Sequence, residues 1–207
     1  MEVNYIVISL VLFCFALGSI PFSIIVSKLF FQVDLRTKGS GNPGATNALR
    51  NLGWKPGLII LLLDMAKGSA AIIISKLFNI EGIHQIDFAC MCGMSAVLGH
   101  IYSPFLYFKG GKGVATSLGV IIFLEPVIAL IAVAVFVIIT YLSKYVSLAS
   151  ICALAIFTIL ITYIRYSNPI EVIFALMLTG LVVFRHQANI IRLIKGDESK
   201  LNFKQTH

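Results

Sequence analysis

Residues 39–50 read Gly39-Ser40-Gly41-Asn42-Pro43-Gly44-Ala45-Thr46-Asn47-Ala48-Leu49-Arg50, a small, polar, glycine-rich stretch set between two long apolar runs. Without a Cβ, Gly39, Gly41 and Gly44 let the backbone turn sharply and come close to a ligand. Ser40, Asn42, Thr46 and Asn47 add hydrogen-bonding side chains, and Arg50 adds a permanently charged fork of donors. Successive N–H groups in such a turn make a concave anion site, and a helix starting near Ala45 aims its N-terminus at the same place. Three glycines alone fit a flexible interhelical loop better. The rest of the chain tips the reading towards a binding turn.

Outward from this turn the chain is apolar. Of its 207 residues 58% are hydrophobic and 12% charged, against about 25% charged in a soluble domain, and the mean hydropathy is +0.96. This is the composition of an all-α integral membrane protein, and its length suits a single membrane domain over 1–207. Only Glu2 precedes the first apolar run, so that run reads as a retained span and not as a cleaved signal. Cys14, Cys90, Cys92 and Cys152 all lie in apolar segments without metal-ligand spacing and read as small buried residues. No metal or cofactor is expected.

Seven spans are expected, at about 4–27, 57–78, 86–107, 114–124, 127–142, 147–165 and 169–184. Gly18-Ser19-Ile20-Pro21 should kink or loosen the first. Asp64 and Lys67, three apart in the second, share a helical face and can pair, as a structural ion pair or as part of a site. Glu125-Pro126 divides 114–142 into two helices, the first too short to cross alone. The positive-inside rule favours seven. Lys28, Arg36, Lys38, Arg50, Lys55, Lys109, Lys112, Lys144, Arg185, Arg192, Lys195, Lys200 and Lys204 then share one side, leaving Lys76 and Arg165 on the other. A six-span reading loses much of this asymmetry. The N-terminus is placed outside and the C-terminus in the cytoplasm.

That topology gathers three polar clusters at one membrane face: 36–50, Lys109-Gly110-Gly111-Lys112-Gly113, and Arg185-His186-Gln187-Ala188-Asn189 running on to Arg192. Together they suit two phosphate-bearing ligands, with Arg gripping bidentately and Lys acting as a point charge. The bland alternative for the third cluster is a basic edge meeting anionic headgroups, and this is the better reading of Lys195, Lys200 and Lys204. His84 and His207 lie apart from the clusters, whereas His100 sits just before the second glycine turn and can support it. Ser40 is the obvious free hydroxyl, but nothing near it in sequence would activate it as a nucleophile. The competing readings are a transporter of phosphorylated metabolites and a lipid-phosphate hydrolase.

At these clusters the chain resembles the PlsY family, the membrane acyl-phosphate:glycerol-3-phosphate acyltransferases. The likeness runs in order through Gly18-Ser19-Ile20-Pro21-Phe22, Asp34-Leu35-Arg36, the turn at 39–47 with Arg50, and Asp64 with Lys67-Gly68. It continues through Gly99-His100, Phe108 to Thr116, and Arg185 to Leu193 with Gly196 and Glu198, at the family's spacing over nearly the whole chain. The resemblance implies a seven-helix protein of the bacterial inner membrane with its active site facing the cytoplasm. It also implies transfer of an acyl group from acyl phosphate to the sn-1 hydroxyl of glycerol 3-phosphate, giving lysophosphatidic acid and inorganic phosphate.

By the same resemblance Gly39, Ser40, Gly41, Asn42, Gly44, Thr46 and Asn47 would cradle the acyl phosphate. Arg50, Lys112, His186 and Asn189 would hold glycerol 3-phosphate, with Ser40 and His186 as the catalytic candidates. His100, Lys109, Gly110, Gly111, Gly113, Ser150, Arg192 and Glu198 would support the site, and Ser147 beside Ser150 would help. The base stays open between His186 and the substrate's own phosphate. The expected partners are the two substrates, the lipid bilayer and the enzyme that makes acyl phosphate, with no nucleic acid.

Overall fold

The structure is a computed structural model describing residues 2–202, without the side chains of 2–4; Lys204 and His207 lie outside the described residues. The described residues are helical and contain no strand. They form two compact units that meet in sequence between Leu124 and Glu125.

The first unit holds α1 (Glu2–Ser19), α2 (Phe22–Phe31), α3 (Ala45–Leu52), α4 (Trp54–Leu77), α5 (Gln85–Ile101) and α6 (Val114–Leu124). Its helices approach through glycines. A Cβ on Gly18 would overlap the Ala96 carbonyl, and one on Gly99 the Phe15 carbonyl, which brings α1 and α5 backbone to backbone. Ser95 Oγ closes the same seam by donating to Val11 O at 2.7 Å, and Cys14 and Cys92 are buried in it. α4 and α6 repeat the device, with Gly68 under the Thr116 carbonyl and Gly119 under that of Met65. Ser69 Oγ donates to Gly119 O at 3.0 Å. Lipid gives no hydrophobic drive between helices, so small residues that allow close van der Waals approach, plus hydroxyl bonds, do this work. Gly119→Ala is therefore expected to cost about 1–3 kcal/mol by overpacking. It should lower the unfolding temperature in detergent, while Gly180→Ala, where a Cβ meets nothing within 4 Å, should leave it in place.

The expected loosening of the first span is an interruption of the helix at Ile20-Pro21 inside one apolar stretch, Tyr5–Phe31. Pro21 has no N–H to donate, so α1 stops at Ser19 and α2 restarts at Phe22. The carbonyls left at the break are met from elsewhere: Ser103 Oγ donates to Ser19 O at 2.6 Å and Lys67 Nζ to Ile20 O at 3.0 Å.

The second unit holds α7 (Pro126–Ser143), α8 (Val146–Ile164), α9 (Pro169–Arg185) and α10 (Gln187–Lys195). Proline takes the first helical position in α7 and α9, where its missing N–H costs nothing. The turns between helices are tied by side chains. Arg165 meets Glu125 at 2.7 Å, and Asn168 caps α9 by accepting from Ile170 N at 3.2 Å. Thr158 and Thr179 bond across α8 and α9 at 2.7 Å.

Five stretches are long and apolar enough to span a bilayer: Tyr5–Phe31, Trp54–Leu77, Gln85–Leu106, Pro126–Ser143 and Val146–Ile164. A sixth arises if α9 and α10, bent by 59°, are taken together. α6 has 11 residues, roughly 16 Å at 1.5 Å per residue, about half the hydrocarbon thickness. As the sequence reading expects, the 114–124 segment is too short to cross alone.

Candidate functional site

The first glycine turn is built on a small polar frame. Asp34 starts the 3-10 turn Leu35–Thr37, accepting from Arg36 N at 3.0 Å. It also accepts from the Arg36 guanidinium at 2.6 Å and pairs with Lys28 Nζ at 3.1 Å. The Arg36 guanidinium, against the opposing effect of burial, holds this carboxyl far below the usual carboxylate range. The chain then doubles back, with Gly41 N donating to Lys38 O at 2.9 Å. Gly39 and Gly41 sit at φ +54° and +69°, the left-handed region that glycine enters without penalty.

Asn47 supports this shape from behind. Its Nδ2 donates to Leu35 O and Lys38 O, both at 3.0 Å. Its Oδ1 accepts from Ser40 N at 3.1 Å and Asn51 Nδ2 at 3.0 Å. It is 3% exposed. A Cβ on Gly39 would press on Asn47 Oδ1 and Asn51 Nδ2, each at 2.5 Å. Ser40 is exposed, and Asn42 and Thr46 are half-buried around the start of α3, whose first N–H groups have no carbonyl four residues back to bond; Arg50, also half-buried, lies in its last turn.

The second turn is clasped to the end of α5. Gly110 N donates to Ile101 O at 2.9 Å and Gly111 N to His100 O at 3.2 Å. Tyr107, Phe108 and Gly113 have φ of 52°, 62° and 90°. For the two aromatic residues this is a strained conformation, which persists only where the surroundings over-determine it. A Cβ on Gly110 would overlap the His100 carbonyl, and one on Gly111 the His100 ring. Lys109 is exposed and Lys112 half-buried.

Between the two turns lies a cavity of about 10 Å³ bordered by Pro43, Gly111, Ser19, Asp64, Lys67 and His100, among others, close to the space of a single water. Asp64 Oδ1 meets Lys67 Nζ at 2.9 Å, and both side chains are 2% exposed. His100 Nδ1 lies 3.6 Å from the same oxygen. The expected pair on α4 is thus a buried cluster, and the structure places His100 in it. Lys67's bond to the Ile20 carbonyl, 47 positions away, had no signal in the sequence.

The third cluster belongs to the second unit and has its own frame. Glu198, buried, accepts from Asn189 Nδ2 at 2.6 Å, Ser147 Oγ at 2.7 Å and Arg192 Nε at 2.8 Å. Burial pushes this carboxyl up, but the bonds from Asn189, Ser147 and Arg192 outweigh it and leave it below its ordinary value. The tail is anchored further by Leu201 N, which donates to Lys144 O at 2.7 Å. Ser150 is buried and its Oγ bonds Val146 O at 2.8 Å. His186 is buried too, with Nδ1 2.8 Å from Val182 O. A carbonyl can only accept, so Nδ1 carries a proton and, in the neutral ring, Nε2 carries the lone pair.

The chain as a whole, in sequence and in fold, is similar to known proteins. Residues 8–196 match the family profile described as glycerol-3-phosphate acyltransferase. The chain belongs to the glycerol-3-phosphate acyltransferase family.

It is 43% identical to the glycerol-3-phosphate acyltransferase of Fusobacterium nucleatum, covering 92% of this chain and 98% of that one. It is 41% identical to the enzyme of Clostridioides difficile over 98% of both. Its structure matches the crystal structure of PlsY (YgiH), an integral membrane glycerol 3-phosphate acyltransferase, in the glycerol 3-phosphate form. The TM-score is 0.86 and the identity 40%, over 95% of this chain and 96% of that one. The lysophosphatidic acid form of the same protein matches at TM-score 0.83 and 38% identity, over 95% of each chain. The protein is accordingly a membrane acyltransferase acting on glycerol 3-phosphate, a step of phospholipid synthesis.

Proposed function

We propose that the acyl donor is acyl phosphate and that the acceptor is the sn-1 hydroxyl of glycerol 3-phosphate, at the cytoplasmic face of the bacterial inner membrane. The observation that carries this reading is the first turn, where two left-handed glycines immediately before the α3 N-terminus are held by Asn47. The Ser40 and Gly41 N–H groups are used inside the turn, which leaves the first N–H groups of α3 and the exposed Ser40 side chain to meet a phosphate. An acyl phosphate is an activated mixed anhydride, so the protein need only position two anions and stabilise charge. The acceptor oxygen forms a bond to the acyl carbon, and the bond from that carbon to the phosphate oxygen breaks. Phosphate leaves with the electron pair. The hydroxyl proton passes to the lone pair on His186 Nε2 or to a phosphate oxygen.

In this assignment Gly39, Ser40, Gly41, Asn42, Gly44 and Thr46 face the donor phosphate, with Asn47 shaping the turn. Arg50, Lys112, His186 and Asn189 take glycerol 3-phosphate. Ser147, Arg192 and Glu198 hold Asn189 in place, and the apolar helix surfaces or lipid receive the acyl tail. Purified protein in detergent should form lysophosphatidic acid and equimolar phosphate from acyl phosphate and glycerol 3-phosphate. Turnover with a thioester donor but none with acyl phosphate would reject the donor. Arg50→Ala should raise the KM for glycerol 3-phosphate by about 10–100-fold, the worth of a charged hydrogen bond of about 1.5–3 kcal/mol. The KM for the donor should move much less, and the reverse order would exchange the two phosphates.

A further inference from the structure

We propose that His100, held from behind by Asp64, is a positioning residue that sets where the Lys109–Gly113 turn presents Lys112 to the acceptor phosphate. This rests on the assignment of Lys112 to glycerol 3-phosphate.

His100 is the next-to-last residue of α5 and bears the turn twice. Its carbonyl accepts from Gly111 N at 3.2 Å, and its ring lies so close to Gly111 that a Cβ there would overlap Nε2. The other edge of the ring faces Asp64, with Nδ1 3.6 Å from Oδ1, ion-pair range but longer than a hydrogen bond. Asp64 cannot swing away, being buried on α4 and bonded to Lys67 at 2.9 Å. Lys67 is in turn tied to Ile20 O at 3.0 Å. An unbroken line of buried contacts therefore runs from α4 through the ring to the α-carbon next to Lys112. The absence of a side chain at Gly111 is what lets the ring act as a backstop. A longer side chain would push the turn outward, and a smaller residue at 100 would let it sag inward. Misplacement by about 1 Å can cost on the order of 100-fold in turnover, so a fixed backstop matters here more than its own bonding energy suggests.

The alternative is a polar cluster that merely stabilises the fold. A double-mutant cycle separates the two, using His100→Ala, Gly111→Ala, the double variant and Lys112→Ala in detergent. The readouts are KM and kcat, calorimetric binding of glycerol 3-phosphate and the unfolding temperature. His100→Ala is expected to weaken glycerol 3-phosphate, in KM and in direct binding, by about tenfold, with the donor KM within about twofold. Gly111→Ala should lose about 100-fold in kcat/KM. The double variant should recover at least about tenfold over Gly111→Ala, since the new methyl occupies the space of the ring.

Equal loss for both substrates, a fall in unfolding temperature alone, or single losses that simply multiply would overturn the proposal. If His100→Ala does not fold, His100→Ser, which also vacates the ring's space, takes its place in the same cycle. Binding unaffected by Lys112→Ala would reject the parent assignment. Binding weakened by Lys112→Ala but not by the His100 variants would reject only the backstop.

Discussion

Replacing Asn47 by Ala is expected to lower kcat/KM by about 100-fold or more while leaving the helical circular dichroism nearly unchanged. One amide makes four bonds, to Leu35 O, Lys38 O, Ser40 N and Asn51 Nδ2. Lys38 and Ser40 are exposed and can recover water, whereas Leu35 is fully buried. The stability lost is therefore nearer to one buried unsatisfied group, about 1–3 kcal/mol, than to four. The functional loss is larger because Asn47 ties both the carbonyl before Gly39 and the N–H after it, and so fixes the left-handed turn. Asn47→Asp should be no milder. It keeps an acceptor for Ser40 N, but it turns an acceptor towards the carbonyls of Leu35 and Lys38, where a donor is needed. Wild-type kinetics in Asn47→Ala would refute the view that this side chain shapes the donor turn.

Asn47 also marks where sequence reasoning stops. Its motif reads correctly as a glycine turn before a helix, because glycine spacing and the apolar flanks are local features. By resemblance its amide belonged with the ligand-facing groups. The structure turns it inward, onto a carbonyl twelve positions back. Nothing in a one-dimensional pattern tells an amide that holds a turn from one that faces a ligand.

The same limit applies to the long-range ties. Lys67 to Ile20 O and Ser147 to Glu198 link positions 47 and 51 apart, and a single chain carries no sign of either. By contrast Asp64 and Lys67 were legible, since i,i+3 spacing on an apolar helix leaves two charges little choice but to pair. The break at Glu125 was legible for the same local reason, because Pro126 can start a helix but not continue one. The shortness of α6 was legible from the same Glu125-Pro126 break and not from charge. Lysine asymmetry reports which loops share a side, but not whether an 11-residue helix reaches from one side to the other.

Both glycine turns follow one design. In each, the loop that would face an anion takes its shape from a buried side chain behind it, Asn47 in one case and the His100 ring in the other. A preorganised surface of this kind has no reorganisation left to do when charge develops, which is how fixed dipoles lower a barrier.

Glu198→Ala is expected to reduce kcat/KM by about 100-fold through groups that do not themselves react. Glu198 collects Asn189, Ser147 and Arg192 within 2.8 Å. The Arg192 side chain is 40% exposed, so that ion pair contributes under about 1 kcal/mol after screening. The buried donors matter more, at about 1.5–3 kcal/mol for each bond to a charged group. Without the carboxylate, Asn189 Nδ2 loses its 2.6 Å bond, and the amide is held less firmly in the orientation it presents to glycerol 3-phosphate. The KM for glycerol 3-phosphate should rise more than that for the donor.

The same carboxyl gives a pH signature whose sign follows from its depressed value. The unfolded chain binds this proton more readily than the folded one, so the stabilisation is fully present above the ordinary glutamate value of about 4.3. It drains away as pH falls through the lower folded value. Wild-type unfolding temperature in detergent should therefore drop on acidification below about pH 4. Glu198→Gln should be less stable at neutral pH and lose less of what remains on acidification. Parallel acid profiles for the two proteins would show that Glu198 does not hold this corner of the site through its charge.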